Sequence, residues 1–382
     1  MANNNDKKVL NVPALRFPEF TEEWKKCTIK DYGEVITGNT PPTKNIEYYS
    51  NGSYLWASPA DLGLSKHITS TKTKLSLLGL KKTRTIPQGS ILVTCIGSTI
   101  GKMGMATETM STNQQINSVI VNDSTNNDFA YYAILNAFPR YLSEVGVQAV
   151  PILSKSNFEK LPNHTTTKEE QRKLGYFLNL LDERIATQNK IIEDLKKLKS
   201  AITDLLFHSI ADAHTIRLGK IAHITNGAGD VQDANTEHQE DWYPFFDRSE
   251  ELKWFPTYSF DKEAVIYAGE GQSFYPRYYN GKFALHQRCY AITDFASCII
   301  PKYCYHFMNT LNSYFVRNSV GSTVPSLRMD IFQKVEIRLP PISKQQHICK
   351  IIDAFYTKLE VEQKGISILQ ELKQFLLSQM FI

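Results

Sequence analysis

The sequence predicts an α+β chain with a pseudo-twofold internal repeat: two globular units joined by two long helices that pair antiparallel as a coiled coil. Three observations predict it. The phrase VPILSKSNFEKL at 150–161 returns as VPSLRMDIFQKV at 324–335, an offset of 174 residues. That offset holds without a gap over residues 150–207 against 324–381, with Pro151/Pro325, Leu153/Leu327, Phe158/Phe332, Gln171/Gln345, Leu195/Leu369 and Phe207/Phe381 identical. Each copy also contains a run with apolar residues spaced near 3.5, the signature of a helix with a narrow seam.

Taken in order, the chain divides into a globular unit at 1–166, a helix at 167–208, a second unit at 209–340 and a second helix at 341–382. The units correspond more loosely than the helices. IKDYGEVITG at 29–38 matches LGKIAHITNG at 218–227, and TNQQINSVIV at 112–121 matches LHQRCYAITD at 285–294, so the cores have diverged while the connectors have not. In the first helix the seam is Leu174, Leu178, Leu181, Ile185, Ile192, Leu195 and Ile202; in the second it is Ile348, Ile352, Phe355, Leu359, Ile366, Leu369 and Leu376. About 40 residues at roughly 1.5 Å each make a rod of about 60 Å. The seam is broken at matching places, by Gln188 and Glu362 and by Lys199 and Lys373, a pattern that penalises wrong registers. A globular unit intervenes between the helices, which favours antiparallel pairing.

The bulk numbers exclude several classes. With 42% apolar and 21% charged residues over 382 positions, the chain is long enough for two cores, too apolar for disorder and without a spanning run. The polar start MANNNDKK does not read as a secretory signal, and a cytoplasmic location is expected. Six cysteines, at 27, 95, 289, 298, 304 and 349, form no C-x-x-C pair, so structural thiols are expected in place of a zinc site or a disulfide framework.

The net charge of +4 is small, but its distribution is uneven. No acidic residue occurs between Asp61 and Glu108, whereas Lys66, Lys72, Lys74, Lys81, Lys82, Arg84 and Lys102 fall there with His67. Residues 271–293 likewise lack acids and mix Arg277, Lys282 and Arg288 with Phe274, Tyr275, Tyr278, Tyr279 and Phe283. One-signed stretches of this kind suit DNA phosphates through counterion release. Amide and guanidinium groups match base edges, which makes Gln114, Gln115 and Asn117 in the first unit, and Gln287 and Arg288 in the second, the candidate readers beside Tyr278.

Catalytic motifs fail on spacing. GSTIGK at 97–102 has three residues between its glycines where a phosphate loop needs four, and is read as a strand-to-turn segment. NTPPT at 39–43 departs at both ends from the Asn/Asp-Pro-Pro-Tyr/Phe signature of amino-methyltransferases. The carboxylates Asp230, Asp233, Glu237, Glu240 and Asp241 lack metal-ligand spacing and are read as a solvated loop.

The order LRFPEFTEEW (15–24), TGNTPPTKNIEYYSNGSYLWASPADL (37–62), GSILVTCIGSTIGKMGMA followed by NQQ, the VP-x-L phrase, and helices ending LKKLKSAITDLLF and LQELKQFLLSQMF resembles the specificity subunit of bacterial type I restriction–modification systems. The resemblance implies a non-catalytic reader with two target-recognition domains, one for each half of a split, asymmetric DNA site. It further implies that the helices act as a ruler for the spacer and as a dock for two modification subunits, with restriction subunits joining them. This chain would then bind no cofactor; S-adenosylmethionine, ATP and Mg would belong to the partners. The rival readings are a coiled-coil scaffold without base readout and a DNA-specific enzyme, the latter disfavoured by the missing motifs.

Overall fold

The computed structural model describes residues 11–145, 152–208, 213–321 and 323–382. Val150 and Pro151, which open the first repeat phrase, lie outside them. The chain forms two compact units, Met1–Lys190 with Gln363–Ile382, and Ile191–Glu362. Each unit therefore takes in part of both long helices, the central helix Lys168–His208 and the C-terminal helix Ile342–Met380.

In the first unit a five-stranded sheet runs in the order Gly33–Thr37, Ile116–Val121, Ile91–Thr94, Met103–Ala106, His67–Ile68. A four-stranded sheet of Thr73–Leu75, Tyr54–Ala57, Met110–Thr112 and Thr85–Ile86 packs beside it. The strand Ile91–Thr94 shows why two cores form: side chains alternate across a strand, so Leu92 joins Leu55, Ile86, Met110 and Ile116, while Ile91 and Val93 face the helix Asn127–Val145. That second core continues through Phe129 and Trp24 to Leu174 and Leu178 of the central helix and to Leu376, Met380 and Phe381 at the end of the chain. The LRFPEF segment is a strap: Arg16 forms a double hydrogen bond to buried Glu170, both contacts at 2.7 Å, and Trp24 Nε1 donates to the same carboxylate at 3.2 Å. The GSTIGK stretch is a hairpin loop, closed by Gly101 N–H to Thr94 O and Thr94 N–H to Lys102 O.

The second unit holds a six-stranded sheet in the order His223–Asn226, Cys289–Thr293, Phe260–Ala268, Arg277–Leu285, Tyr243–Phe246, Lys253–Phe255. On one face Val265 and Tyr267 meet Tyr303, Cys304 and Phe307 of the helix Pro301–Met308, together with Phe207 of the central helix and Ile348 and Ile352 of the C-terminal helix. On the other, Ala264 and Ile266 pack with Phe246, Phe283 and Leu285.

The repeat phrase forms the same joint in each unit. Leu153 N–H donates to Cys95 O and Leu327 N–H to Gly269 O, hanging the phrase on the residue that follows an interior strand of each sheet. One turn of helix follows in each, Lys155–Glu159 and Met329–Gln333, and turns Phe158 and Phe332 fully inward. The chain then forms a two-stranded ladder, Lys25–Thr28 with Pro162–Thr165 and His214–Arg217 with Glu336–Leu339. Inside each long helix a buried glutamine completes the joint. Gln171 accepts from Asn126 N–H at 2.8 Å and donates to Thr166 O and Thr165 Oγ1. Gln345 accepts from Ile300 N–H at 2.9 Å and donates to Cys298 O and Pro340 O. Gln345 is fully buried, so Gln345→Ala strands three backbone groups without water and is expected to lower unfolding free energy by about 3 kcal/mol in chemical denaturation.

The helices pair antiparallel within each unit. In the first, Asp182 meets Lys373 at 2.5 Å, and Leu178 and Leu174, earlier in the central helix, share a core with Leu377 and Phe381, later in the other. In the second, the Lys199 ammonium lies 4.1 Å from the Tyr356 ring centroid, and Phe207 shares a core with Ile348 and Ile352. The two seam lysines are repeat partners, and so are Asp182 and Tyr356. The two lysine breaks in the seam therefore each have a partner on the facing helix, as a register-setting role requires.

Candidate DNA interface

The first unit presents a hydrogen-bonded platform made from three segments. Thr37, at the end of its strand, donates to Asn117 Oδ1 at 2.7 Å, and the next residue, Gly38, donates its N–H to Ile116 O. A Cβ on Gly38 would sit 2.2 Å from Thr112 Oγ1 and 2.3 Å from the Thr112 and Asn113 carbonyl oxygens, so only glycine lets residues 37–41 lie on the 112–115 turn. Asn39 ties in the third segment: its Nδ2 donates to Lys82 O, and its Oδ1 accepts from Arg84 N–H at 2.8 Å. Arg84 also reaches back to Thr37 O at 2.7 Å, and Trp56 Nε1 donates to Asn39 O. Thr40 Oγ1 donates to Gln114 Oε1 at 2.5 Å.

Gln114, Lys82 and Arg84 are thus brought together and exposed, with Lys81 adjacent. Lys72 and Lys74 are exposed on and beside the strand Thr73–Leu75, where Asp61 Oδ1 accepts from Lys72 N–H. Gln115 is half-buried and turned inward, its amide bonded to Asn113 and Ile96 O. Asn117 is buried in the sheet with Thr37 and is not a reader.

Lys66 requires a correction. It is 7% exposed, and its ammonium meets Asp128 Oδ1 at 2.6 Å, Asn179 Oδ1 at 3.0 Å and Tyr132 Oη at 3.3 Å. Burial holds its pKa below the ordinary lysine value, with the Asp128 bond working in the opposite direction. An ammonium enclosed in this way is a structural tie between the five-stranded sheet and two helices, not a phosphate contact.

In the second unit the sequence-equivalent turns meet in the same way. Gly227 N–H donates to Cys289 O, and a Cβ there would sit 2.0 Å from Leu285 O. Gln287 N–H donates to Gly229 O, and its carbonyl accepts from Asn226 Nδ2, leaving the Gln287 side chain exposed. Arg288 is exposed but pairs with Glu270 at 2.7 Å. Lys282 is exposed with its ammonium 4.7 Å from the Tyr258 ring centroid.

Two further candidates serve the fold. Half-buried Arg277 donates to Ser249 O and lies against the Phe246 ring, so its guanidinium is committed to the 247–249 turn. That turn is itself held by Asp247, which meets Lys253 at 2.7 Å and Ser249 Oγ at 2.6 Å. Tyr278 donates to Glu263, and burial above all raises its hydroxyl pKa, which makes it a packing group. Sequence reasoning missed Asn39 and Thr40. They lie in the NTPPT stretch, which matches no catalytic motif, and their side-chain partners Lys82, Arg84 and Gln114 are 43, 45 and 74 residues away, beyond any local pattern. Among the described residues there is no cluster of three metal-ligating side chains, and no helix is long and apolar enough to cross a membrane.

A family model described as "Type I restriction modification DNA specificity domain" matches residues 21–197 and 211–374. The MjaIX specificity subunit of Methanocaldococcus jannaschii is 24% identical over 94% of this chain and 93% of that protein. The HindI specificity subunit of Haemophilus influenzae is 30% identical over 46% of this chain and 39% of its own length. Among solved structures, a type I restriction–modification S subunit from M. genitalium superposes with a TM-score of 0.66 at 17% identity, covering 97% of this chain and 99% of that one.

Proposed function

Because the chain belongs to the type I restriction modification DNA specificity family, we propose that each of its two units reads one half of a bipartite, asymmetric DNA site. The supporting observation is the duplicated platform: in each unit a glycine with no room for a side chain holds two turns together, and the exposed residue presented there is a glutamine, Gln114 or Gln287. Exposed Lys72, Lys74, Lys81, Lys82 and Arg84 in the first unit, and Lys282 in the second, supply phosphate contacts that fix position without reading sequence.

The chain itself is non-catalytic in this reading. Two modification subunits bring S-adenosylmethionine and methyl transfer, restriction subunits bring ATP- and Mg-dependent translocation and cleavage, and the assembly acts in the cytoplasm. The long helices set the spacer and dock the modification subunits. Apolar side chains left exposed along them, Tyr176, Leu198, Ile368, Leu372 and Phe375 among others, suit burial by such partners.

The test is selection from a random duplex library with the chain assembled on its modification subunits: a two-part motif with a fixed spacer is expected, and enrichment without one favours the scaffold reading. The basic residues have a separate signature. The double variant Lys81→Ala/Lys82→Ala should weaken binding to all sequences alike and reduce the slope of log K against log salt by about 2. The enriched motif should stay the same.

A further inference from the structure

The two glutamines occupy equivalent turns but are held differently. Thr40 donates its hydroxyl to Gln114 Oε1, which takes one of the oxygen's two lone pairs and fixes the amide's orientation, while among the described residues the two Nε2–H donors have no partner. The match of 29–38 with 218–227 places Gly229 where the first unit has Thr40. Gly229 has no hydroxyl, and the structure leaves it no room for one: a Cβ would sit 2.7 Å from the Phe245 ring. Gln287 is held through its backbone alone, and its amide keeps both its oxygen and its nitrogen available.

We infer that the Thr40–Gln114 bond, by occupying one of the two lone pairs of the amide oxygen and fixing the amide's orientation, biases Gln114 toward reading as a donor, selective for a base that presents acceptors in the major groove, guanine through O6 and N7 or thymine through O4. Gln287, unpinned, can offer donor and acceptor together, the pattern that matches adenine N6 and N7. One residue type then specifies different bases in the two halves, and the selector is the residue beside it, threonine or glycine. Pinning also removes the rotation of the amide about its last torsion before binding, so its order is established in the free protein. The inference rests on the two-half-site reading and assigns one position within each half.

The test uses the full chain with its modification subunits and a random duplex library, comparing wild type with Thr40→Val, Gln114→Glu and Gln287→Ala. Gln114 and Gln287 are exposed and Thr40 is half-buried, and unchanged melting temperatures confirm folding. With the hydroxyl gone but the shape kept, Thr40→Val is expected to admit adenine at one position of one half-site, raising its enrichment about tenfold. Gln114→Glu, which replaces donors with acceptors, is expected to turn the same position toward cytosine, whose N4 donates. Gln287→Ala should flatten one position in the other half-site only. If Thr40→Val leaves that position unchanged while Gln114→Glu alters it, the pinning is overturned; if Gln114→Glu leaves the whole motif intact, the assignment of Gln114 is overturned. Failure of the wild-type protein to enrich any two-part motif would instead remove the recognition reading itself, so the two failures are distinguishable.

Discussion

Inserting seven residues after Lys190 and seven after its repeat partner Lys364 is expected to abolish methylation of the original sites, leaving the half-site sequences unchanged but farther apart. The seam repeats every 3.5 residues, so a heptad preserves which residues face the partner helix. It lengthens each helix by about 10 Å, close to three base pairs at 3.4 Å each. Three base pairs also rotate the far half-site by about a third of a helical turn, so the new sites should bind more weakly than the original ones. Sequencing modified bases in a host that carries the variant with its partners reads both quantities at once. New half-site letters at the old spacing would show that the helices do not set the distance. A four-residue insertion is the natural contrast, because it breaks the 3.5-residue phase between the two halves of each helix, so that the Asp182–Lys373 and Lys199–Tyr356 contacts cannot both be kept on one continuous seam.

Asp128→Asn should cost about 3 kcal/mol at neutral pH, near the low end for a broken buried ion pair because the carboxylate is about one-third exposed. The cost arises at Lys66, whose ammonium has almost no access to water and loses its charged partner. A lysine whose folded pKa lies below its unfolded one binds fewer protons when folded, so stability rises with pH between the two values. Lys66 already sits on that side, chiefly through burial, and losing Asp128 widens the gap. The deficit of the variant should therefore be largest near neutrality and shrink as pH climbs toward the ordinary lysine range. Denaturation at pH 7 and pH 10 separates the effects: an equal loss at both would assign it to packing and not to charge.

The architecture was legible because helix periodicity and the repeat are local signals. Residues 167–208 read as a helix from leucine and isoleucine spacing alone, and the helix runs Lys168–His208. Antiparallel pairing followed from chain connectivity, since a unit had to be traversed between the helices. The candidate interface was legible only as composition. Lys66 and Lys72 look alike in a stretch free of acids, yet one is buried against Asp128, 62 residues away, and the other is exposed. Arg277 and Lys282 likewise share a basic, aromatic stretch, and only the turn held by Asp247 separates a structural guanidinium from a surface ammonium. Charge density can be counted along a chain, but which charges a fold encloses depends on contacts distant in sequence.

The paired seam lysines respond unequally to solution conditions. Lys373 closes on a carboxylate and Lys199 on an aromatic face, although the two stand at the same place in the repeat. Dissolved electrolyte weakens attraction between full charges more than attraction to a ring quadrupole. A brine titration should therefore loosen the clasp at Asp182 before the one at Tyr356, and so give the first unit the lower tolerance for ions.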